Sequence, residues 1–404
     1  MWRKSILAVL AVSAAALAWF ALGNVGGWRA LVIARVLRTN NWPIVVPPPL
    51  DFQPQLPPGF RASVWARAFQ QPRWLSVAPN GDVFVADSGA GEVVSLRSPS
   101  SPSGAASREI FADHLNQPFG IAFHEDYVYI ANTNRVVRFH YDPKTSRRLG
   151  DAEGILDLPG LGYHQHWTRS LAFSPDGKRL FVSVGSKSNV AIEPDPRRAA
   201  ILVADAHGEN MRIYASGLRN AVGIAFNEES GDLWATVNER DDIAEDVPPD
   251  FFTHVVEGGF YGYPYAYVGQ NVDNRVPPRP DLVARTLTPD VLLGAHVAPL
   301  QFAFYEKQQF PAAYRQGAFI AEHGSWNRRI RSGYQVVFLP FRDSLPSGEP
   351  KPFLSGFVPD PAGKRVYGRM VGVAVAADGS LLISDDGQKL IWRITYDPPR
   401  SSAQ

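Results

Sequence analysis

One unit, a strand, a tight turn and a second strand, recurs six times along this chain. The copies are WLSVAPNGDVFVAD from Trp74, GIAFHEDYVYIAN from Gly120, SLAFSPDGKRLFVSV from Ser170, GIAFNEESGDLWATVNE from Gly223, QFAFYEKQQFPAAYRQGAFIAEH from Gln301 and GVAVAADGSLLISDD from Gly372. In the third copy, SLAF and RLFVSV alternate as half-buried strands do, and Pro175-Asp176-Gly177 is the turn between them. Each copy runs on into a third strand: EVVSLR, RVVRFHY, ILVADA, FFTHVVEG, YQVVFLPF and LIWRITY. The starts are spaced by 46, 50, 53, 78 and 71 residues. The first three intervals lie near the period of propeller blades, about 40–50 residues. An insertion from about Arg240 to His296 lengthens the fourth. The fold predicted is an all-β, six-bladed β-propeller over residues 59–398. FRASVWA at residues 60–66 has no repeat before it, so it supplies the outer strand of the last blade and closes the ring. A Greek-key sandwich is the competing arrangement, and six in-phase copies argue against it.

The 404 residues and 20% charged content suit one large repeat domain. A formal net charge of +1 gives no footing for nucleic-acid binding. There is no cysteine, hence no disulfide and no thiolate metal site. Arg3 and Lys4 precede SILAVLAVSAAALAWFAL, an 18-residue apolar run. Residues 1–22 therefore read as a signal peptide or an N-terminal membrane-anchor helix. This places the protein in a periplasm or on the outer face of a cytoplasmic membrane. Residues 23–58, ending in VVPPPLDFQPQLPP, read as an extended linker.

In a propeller, the residues just before each innermost strand line one mouth of the central channel. Counting three back from the copies gives Gln71, Gln117, Trp167, Asn220, Ala298 and Arg369. Their polar neighbours are His164, His166, Arg169, Arg219 and His296. Arginines, histidines and amides around one opening suit an anionic, carboxylated ligand. Arginines that merely bind loop carbonyls between blades are the alternative.

HWTRSLAFSPDGKRLFVSVGS, GLRNAVGIAF, VNERDDIAEDVPPDFFTHVVEGGFYGYPY, AEHGSWNR and GRMVGVAVAADGSLLISDD together resemble the pyrroloquinoline quinone (PQQ)-dependent sugar dehydrogenases. The resemblance is to their L-sorbosone dehydrogenase branch and, more distantly, to the soluble glucose dehydrogenases. It covers about residues 57–398. It implies a cofactor that is a tricarboxylated quinone, with Ca²⁺ beside it. Arg219 and Asn220 match an Arg-Asn pair that contacts PQQ, and Arg369 matches an arginine that binds a PQQ carboxylate. Gln117 is a further candidate contact. Where the glucose enzymes carry a cofactor-binding lysine, this chain has His323 and Arg328. The resemblance puts a histidine base just before the third blade, with Arg169 beside it. Both His166 and His164 are candidates, and the HWTR form favours His166. Metal ligation is implied in the loop Asn238–Asp242, chiefly through backbone carbonyls at Glu239, Arg240 and Asp241. A solvated acidic turn is the alternative there. Trp326 is a stacking candidate or a core residue, and GGFYGYPYAY at 258–267 frames the pocket.

The expected activity is oxidation of a sugar or sugar-derived aldehyde, with electrons passed to an external quinone or cytochrome. Two other classes stay open. One is a Ca²⁺-dependent propeller lactonase or esterase using Asn132, Asn220, Asn238 and Glu322. The other is a non-catalytic binding propeller.

Overall fold

A computed structural model describes residues 40–97, 107–160 and 166–397. The leader at residues 1–22, most of the linker's first part and His164 lie outside the described residues. No helix among the described residues is long and apolar enough to cross a membrane.

Six antiparallel sheets follow one another along the chain, each with at least four strands. The innermost strands are Pro72–Val77, Ile121–His124, Leu171–Phe173, Ala221–Phe226, Pro299–Phe304 and Met370–Val375. Each pairs with the second strand of its repeat, and that with the third, as the sequence predicts. Phe60–Ala66 pairs antiparallel with Leu390–Tyr396 and completes the sixth sheet, so first and last strands close the ring. Among the described residues, helix is confined to Pro280–Val283 and a 3₁₀ turn at Ala312–Tyr314.

Burial departs from the expected alternation. Val83–Asp87, Leu233–Val237, Gly317–Glu322 and Leu381–Asp385 are buried at every position. A blade's second strand is covered on both faces by neighbouring blades, so both faces must be apolar. Aromatic pairs fill these interfaces. Phe84 meets Phe123 at 5.0 Å between blades one and two, and Tyr129 meets Phe173 at 4.9 Å between two and three. Phe181 meets Phe226 at 5.2 Å, and Phe252 meets Phe302 at 4.8 Å, in the next two interfaces. Each buried ring contributes about 1.5–3 kcal/mol. The turn at Pro175-Asp176-Gly177 forms as read. Gly177 takes φ +71°, and Asp176 Oδ1 accepts hydrogen bonds from Ser174 Oγ at 2.6 Å and the Lys178 N–H at 3.1 Å.

The insertion is narrower than expected, because the fourth blade's third strand, Pro249–His254, lies inside the span assigned to it. The added chain is instead 238–248 and 255–290. The second stretch holds a small hairpin, Ala266–Tyr267 with Asn271–Val272. Arg240 pins it. Its buried guanidinium donates to the carbonyls of Pro264 at 3.1 Å and Ala266 at 2.7 Å, and pairs with Glu239 at 2.8 Å and Asp273 at 3.2 Å. Residues 40–58 are extended and docked on the propeller. Ile44–Val45 pairs with Arg365–Val366, and Gln55 bridges to Ser355.

Candidate active site

Four inner strands share one irregularity. Their register with the second strand shifts between Pro72 and Leu75, Ala221 and Ile224, Pro299 and Phe302, and Met370 and Val373. Such bulges re-aim side chains at the end of a strand. Here they turn Val222, Leu300 and Val371 into an apolar plug with Trp74 and Phe119. Beneath it Gln301 spans from blade five to blade one. Its Oε1 accepts from the Leu75 N–H at 3.0 Å, and its Nε2 donates to the Leu75 carbonyl at 2.8 Å. The plug and this bridge separate the polar mouth from the channel cavity of about 760 Å³ behind it.

The bulge in blade one also delivers Arg73 to the mouth. Its guanidinium pairs with Asp386 and lies over the rings of Phe119 at 5.6 Å and Trp167 at 5.5 Å. Asp386 accepts in turn from His323 Nε2 at 3.0 Å. Arg369 donates to the carbonyls of His323 and Gly324, both at 3.3 Å. Its backbone N–H is held by Asp385 at 2.9 Å. Burial would raise the Asp386 pKa, but His323, Arg73 and Arg369 outweigh it and hold it far down. Burial, then Arg369, pushes His323 down to about 4. At neutral pH this corner is a neutral imidazole, a carboxylate and two arginines.

On the other side of the mouth stands His166, partly buried, with φ +48°. Its Nδ1 lies 3.1 Å from the Ser186 carbonyl and 2.9 Å from Ser186 Oγ, whose own proton goes to the Ser188 carbonyl at 2.7 Å. Gly185 leaves it room: a Cβ there would sit 2.6 Å from the His166 Cβ and 2.4 Å from Asn220 Oδ1. Burial first, then Arg219, lowers the His166 pKa well below its usual value. Asp241 lies next to this group. It accepts from Asn327 Nδ2 at 2.7 Å and sits 3.4 Å from His296 and 3.5 Å from Arg219. The two sides join through blade five, where the N–H groups of His323 and Gly324 donate to the carbonyls of Ala298 and Val297, both at 2.9 Å. Asp250 lies fully buried below. It accepts from the N–H groups of Glu239 at 2.7 Å and Ala298 at 2.8 Å, and burial pushes it up to about 7.

The sequence model described as TrAA12-like matches residues 54–275 and 282–397. The chain belongs to this family. Among its relatives is an uncharacterised protein of Borreliella burgdorferi, 28% identical over 366 residues, covering 85% of this chain and 91% of that one. The PQQ-dependent pyranose dehydrogenase of Coprinopsis cinerea is 24% identical over 350 residues, covering 74% of this chain; the chain spans about half, 46%, of that protein's length. The solved holo form of the PQQ domain of Coprinopsis cinerea pyranose dehydrogenase superposes with a TM-score of 0.73 at 22% identity, covering 88% of this chain and 99% of that one. The calcium structure of the family AA12 enzyme of Trichoderma reesei gives 0.73 at 21% identity, covering 89% and 99%.

Within this TrAA12-like propeller, His166, Arg219, Asn220, His323 and Arg369 gather at one mouth. Arg219 spends its donors on the chain itself: the Asn189 carbonyl and Oδ1, both at 3.0 Å, and the carbonyls of Asn238 at 3.2 Å and Glu239 at 2.7 Å. It acts as a loop clamp whose charge still reaches His166. Arg169 is likewise buried and donates to the carbonyls of His166 and Thr168, both at 2.7 Å, and Pro159 at 3.1 Å. Its role is to position the His166 backbone. Arg328 pairs with Asp246 at the rim. Gln117 is exposed with φ +50°. Trp326 stacks on Trp42, centroids 4.5 Å apart, in place of a core position. In the 258–267 loop, Tyr263 contacts Ala191 and Ser188 and so frames the mouth.

The expected metal loop is not a solvated turn. The Glu239 and Arg240 side chains are buried against each other, so Arg240 offers a cation only its carbonyl. Among the described residues no three His, Cys, Asp or Glu side chains form a metal cluster. Three of the four residues of the lactonase alternative hold hydrogen bonds within the chain. Asn132 accepts from the Asn116 N–H at 2.9 Å, Asn238 donates to the Pro299 carbonyl at 2.6 Å, and Glu322 accepts from Gln335 at 2.8 Å. Arg73 and Asp386 escape the count from the strand starts. Arg73 lies inside the bulge, and Asp386 pairs with residues 63 and 313 positions away.

Proposed function

We propose that this protein is an exported PQQ-dependent dehydrogenase that oxidises a pyranose or a related aldose at the propeller mouth, with His166 as general base. The observation that carries the reading is the protonation geometry of His166. A carbonyl only accepts, so the ring donates Nδ1–H to Ser186 and keeps the lone pair on Nε2. Burial, and then Arg219, keep the ring neutral, which is the state a base requires. His166 then takes the hydroxyl proton of the sugar.

The residues of the mouth fit the cofactor. Buried Asn220 Oδ1 and Asn327 Oδ1 have no hydrogen-bond partner of their own, and such oxygens call for a donor or a hard cation. Arg73 and Arg369 place positive charge on the opposite side, suited to carboxylates. Arg369, Arg73 and His323 would hold the PQQ acids, and Asn220 with the carbonyls of the 238–242 loop would face Ca²⁺. When bound, PQQ supplies a quinone that accepts the hydride. The names of the Coprinopsis cinerea pyranose dehydrogenase and of a PQQ-dependent sugar dehydrogenase of Hypocrea jecorina favour a pyranose or other sugar, while HWTR favours a sorbosone-like aldehyde as the finer reading. The basic, apolar leader favours export to the periplasm and an external quinone or cytochrome as acceptor.

The test is dye reduction by the purified protein with PQQ and Ca²⁺ across a panel of aldoses and aldehydes. Substrate-dependent reduction that requires PQQ supports the reading. Calcium-dependent lactone hydrolysis, or no PQQ retained after dialysis, contradicts it.

A further inference from the structure

The described chain begins beside the mouth and is fastened there. The Asn41 N–H donates to the Trp326 carbonyl at 2.8 Å, and its amide bridges the Arg328 carbonyl at 3.0 Å and Arg331 at 3.2 Å. Trp42 lies on Trp326, and the Ile44 N–H donates to the Lys364 carbonyl at 2.8 Å. This rim of blades five and six is apolar and open. Trp42 is 59% exposed, Ile44 54%, Ile330 48% and Leu50 108%. Exposed Arg329, Lys364 and Arg365 are interleaved with them and form no ion pair among the described residues. The nearby acids are otherwise engaged. Asp246 pairs with Arg328, Glu245 accepts from the Arg329 N–H at 3.3 Å, and Asp360 accepts from the Ala362 N–H at 3.0 Å within its own turn.

We propose that this rim rests on an anionic membrane surface. Tryptophan and isoleucine among unpaired lysine and arginine is the composition of a surface that seats at the headgroup level. The chain outside the structure points to the same occupant. It carries the Ser5–Leu22 apolar run, and only 17 residues separate Leu22 from Asn40. That tether reaches at most about 56 Å, and it joins the propeller at this rim. The mouth therefore opens along the bilayer, with blades five and six nearest to it. The inference does not rest on the redox reading, and its test reads no activity.

The chain has no cysteine, so single labels can be placed cleanly. Full-length protein carrying Ile44→Cys, Ile330→Cys or Gln308→Cys is labelled with bimane. Gln308 lies on an exposed turn at the opposite face. Each variant is reconstituted in phosphatidylcholine vesicles containing phosphatidylglycerol. The expected result is a blue shift and quenching by nitroxide lipids at 44 and 330 and neither at 308. Combined Arg329→Glu, Lys364→Glu and Arg365→Glu should diminish both signals. Unshifted emission at 44 and 330, or equal quenching at 308, overturns the proposal. A blue shift without lipid quenching also overturns it, because it assigns the rim to a protein surface such as a second copy or the leader.

Discussion

His166 Nδ1 lies 3.1 Å from the carbonyl oxygen of Ser186. That contact decides which ring nitrogen carries the proton, and so which is able to receive one. His166→Ala should lower kcat for dye reduction by about 10²–10⁴-fold, the usual contribution of general-base catalysis, while PQQ binding is retained. Normal turnover in this variant would move the base to another residue, with His164 the first candidate.

The same histidine sets the acid limb of the pH profile. Its pKa is held below the usual value by burial and then by Arg219, while Asp241 acts in the opposite direction. Activity should stay flat through neutral pH and fall only as pH drops through this depressed pKa. Arg219→Gln removes a positive charge and should move the limb up. Asp241→Asn removes a negative charge and should move it down. Shifts of one sign in both variants would show that another group controls the limb.

Arg73 and Arg369 flank Asp386; Arg73 is buried and Arg369 half-buried. Arg73→Met and Arg369→Ala should each weaken PQQ retention about tenfold or more, equivalent to about 1.4 kcal/mol. Equilibrium dialysis followed by PQQ absorbance measures this. Unchanged retention in both would remove the cationic corner from the cofactor site.

Gly185 is the contact point between His166 and Asn220. In Gly185→Ala the new methyl would lie 2.4 Å from Asn220 Oδ1 unless the loop moves. A shift of about 1 Å at a catalytic base can cost about 10²-fold. The expected outcome is a fall in kcat of that order, with KM for the sugar little changed.

The ring closure makes a prediction about stability alone. Phe60, in the strand that completes blade six, meets Phe310 at 4.8 Å, Phe353 at 4.9 Å and Tyr314 at 5.1 Å. Phe60→Ala should cost about 3–5 kcal/mol and lower Tm, with activity per folded molecule preserved. An unchanged Tm would mean that the closure contributes little.

The ring itself was legible because each blade repeats a turn chemistry and a two-strand pattern, and because FRASVWA stood alone before the first repeat. Asn220 and Arg369 were found by position relative to those strands. Arg73 was not, because a bulge re-aims it and a bulge leaves no regular mark in sequence. The Arg73–Asp386–His323 chain joins blades one, five and six, and partners that distant carry no local signature. Arg169 and Arg219 show the converse. Their residue type and place suggested ligand binding, but unpaired loop carbonyls claimed their donors first, as buried polar groups require. The apolar runs of the second strands read as alternating because the sequence does not display the neighbouring blade on the far face.

The most direct test of the central claim is PQQ-dependent reduction of a dye by full-length protein with Ca²⁺ and a pyranose, run beside His166→Ala. The account predicts turnover in the wild type only when PQQ is present, and a variant that binds PQQ equally well yet scarcely turns over. Wild-type protein that binds PQQ and oxidises no sugar or aldehyde, or that reduces dye equally well without PQQ, would contradict it.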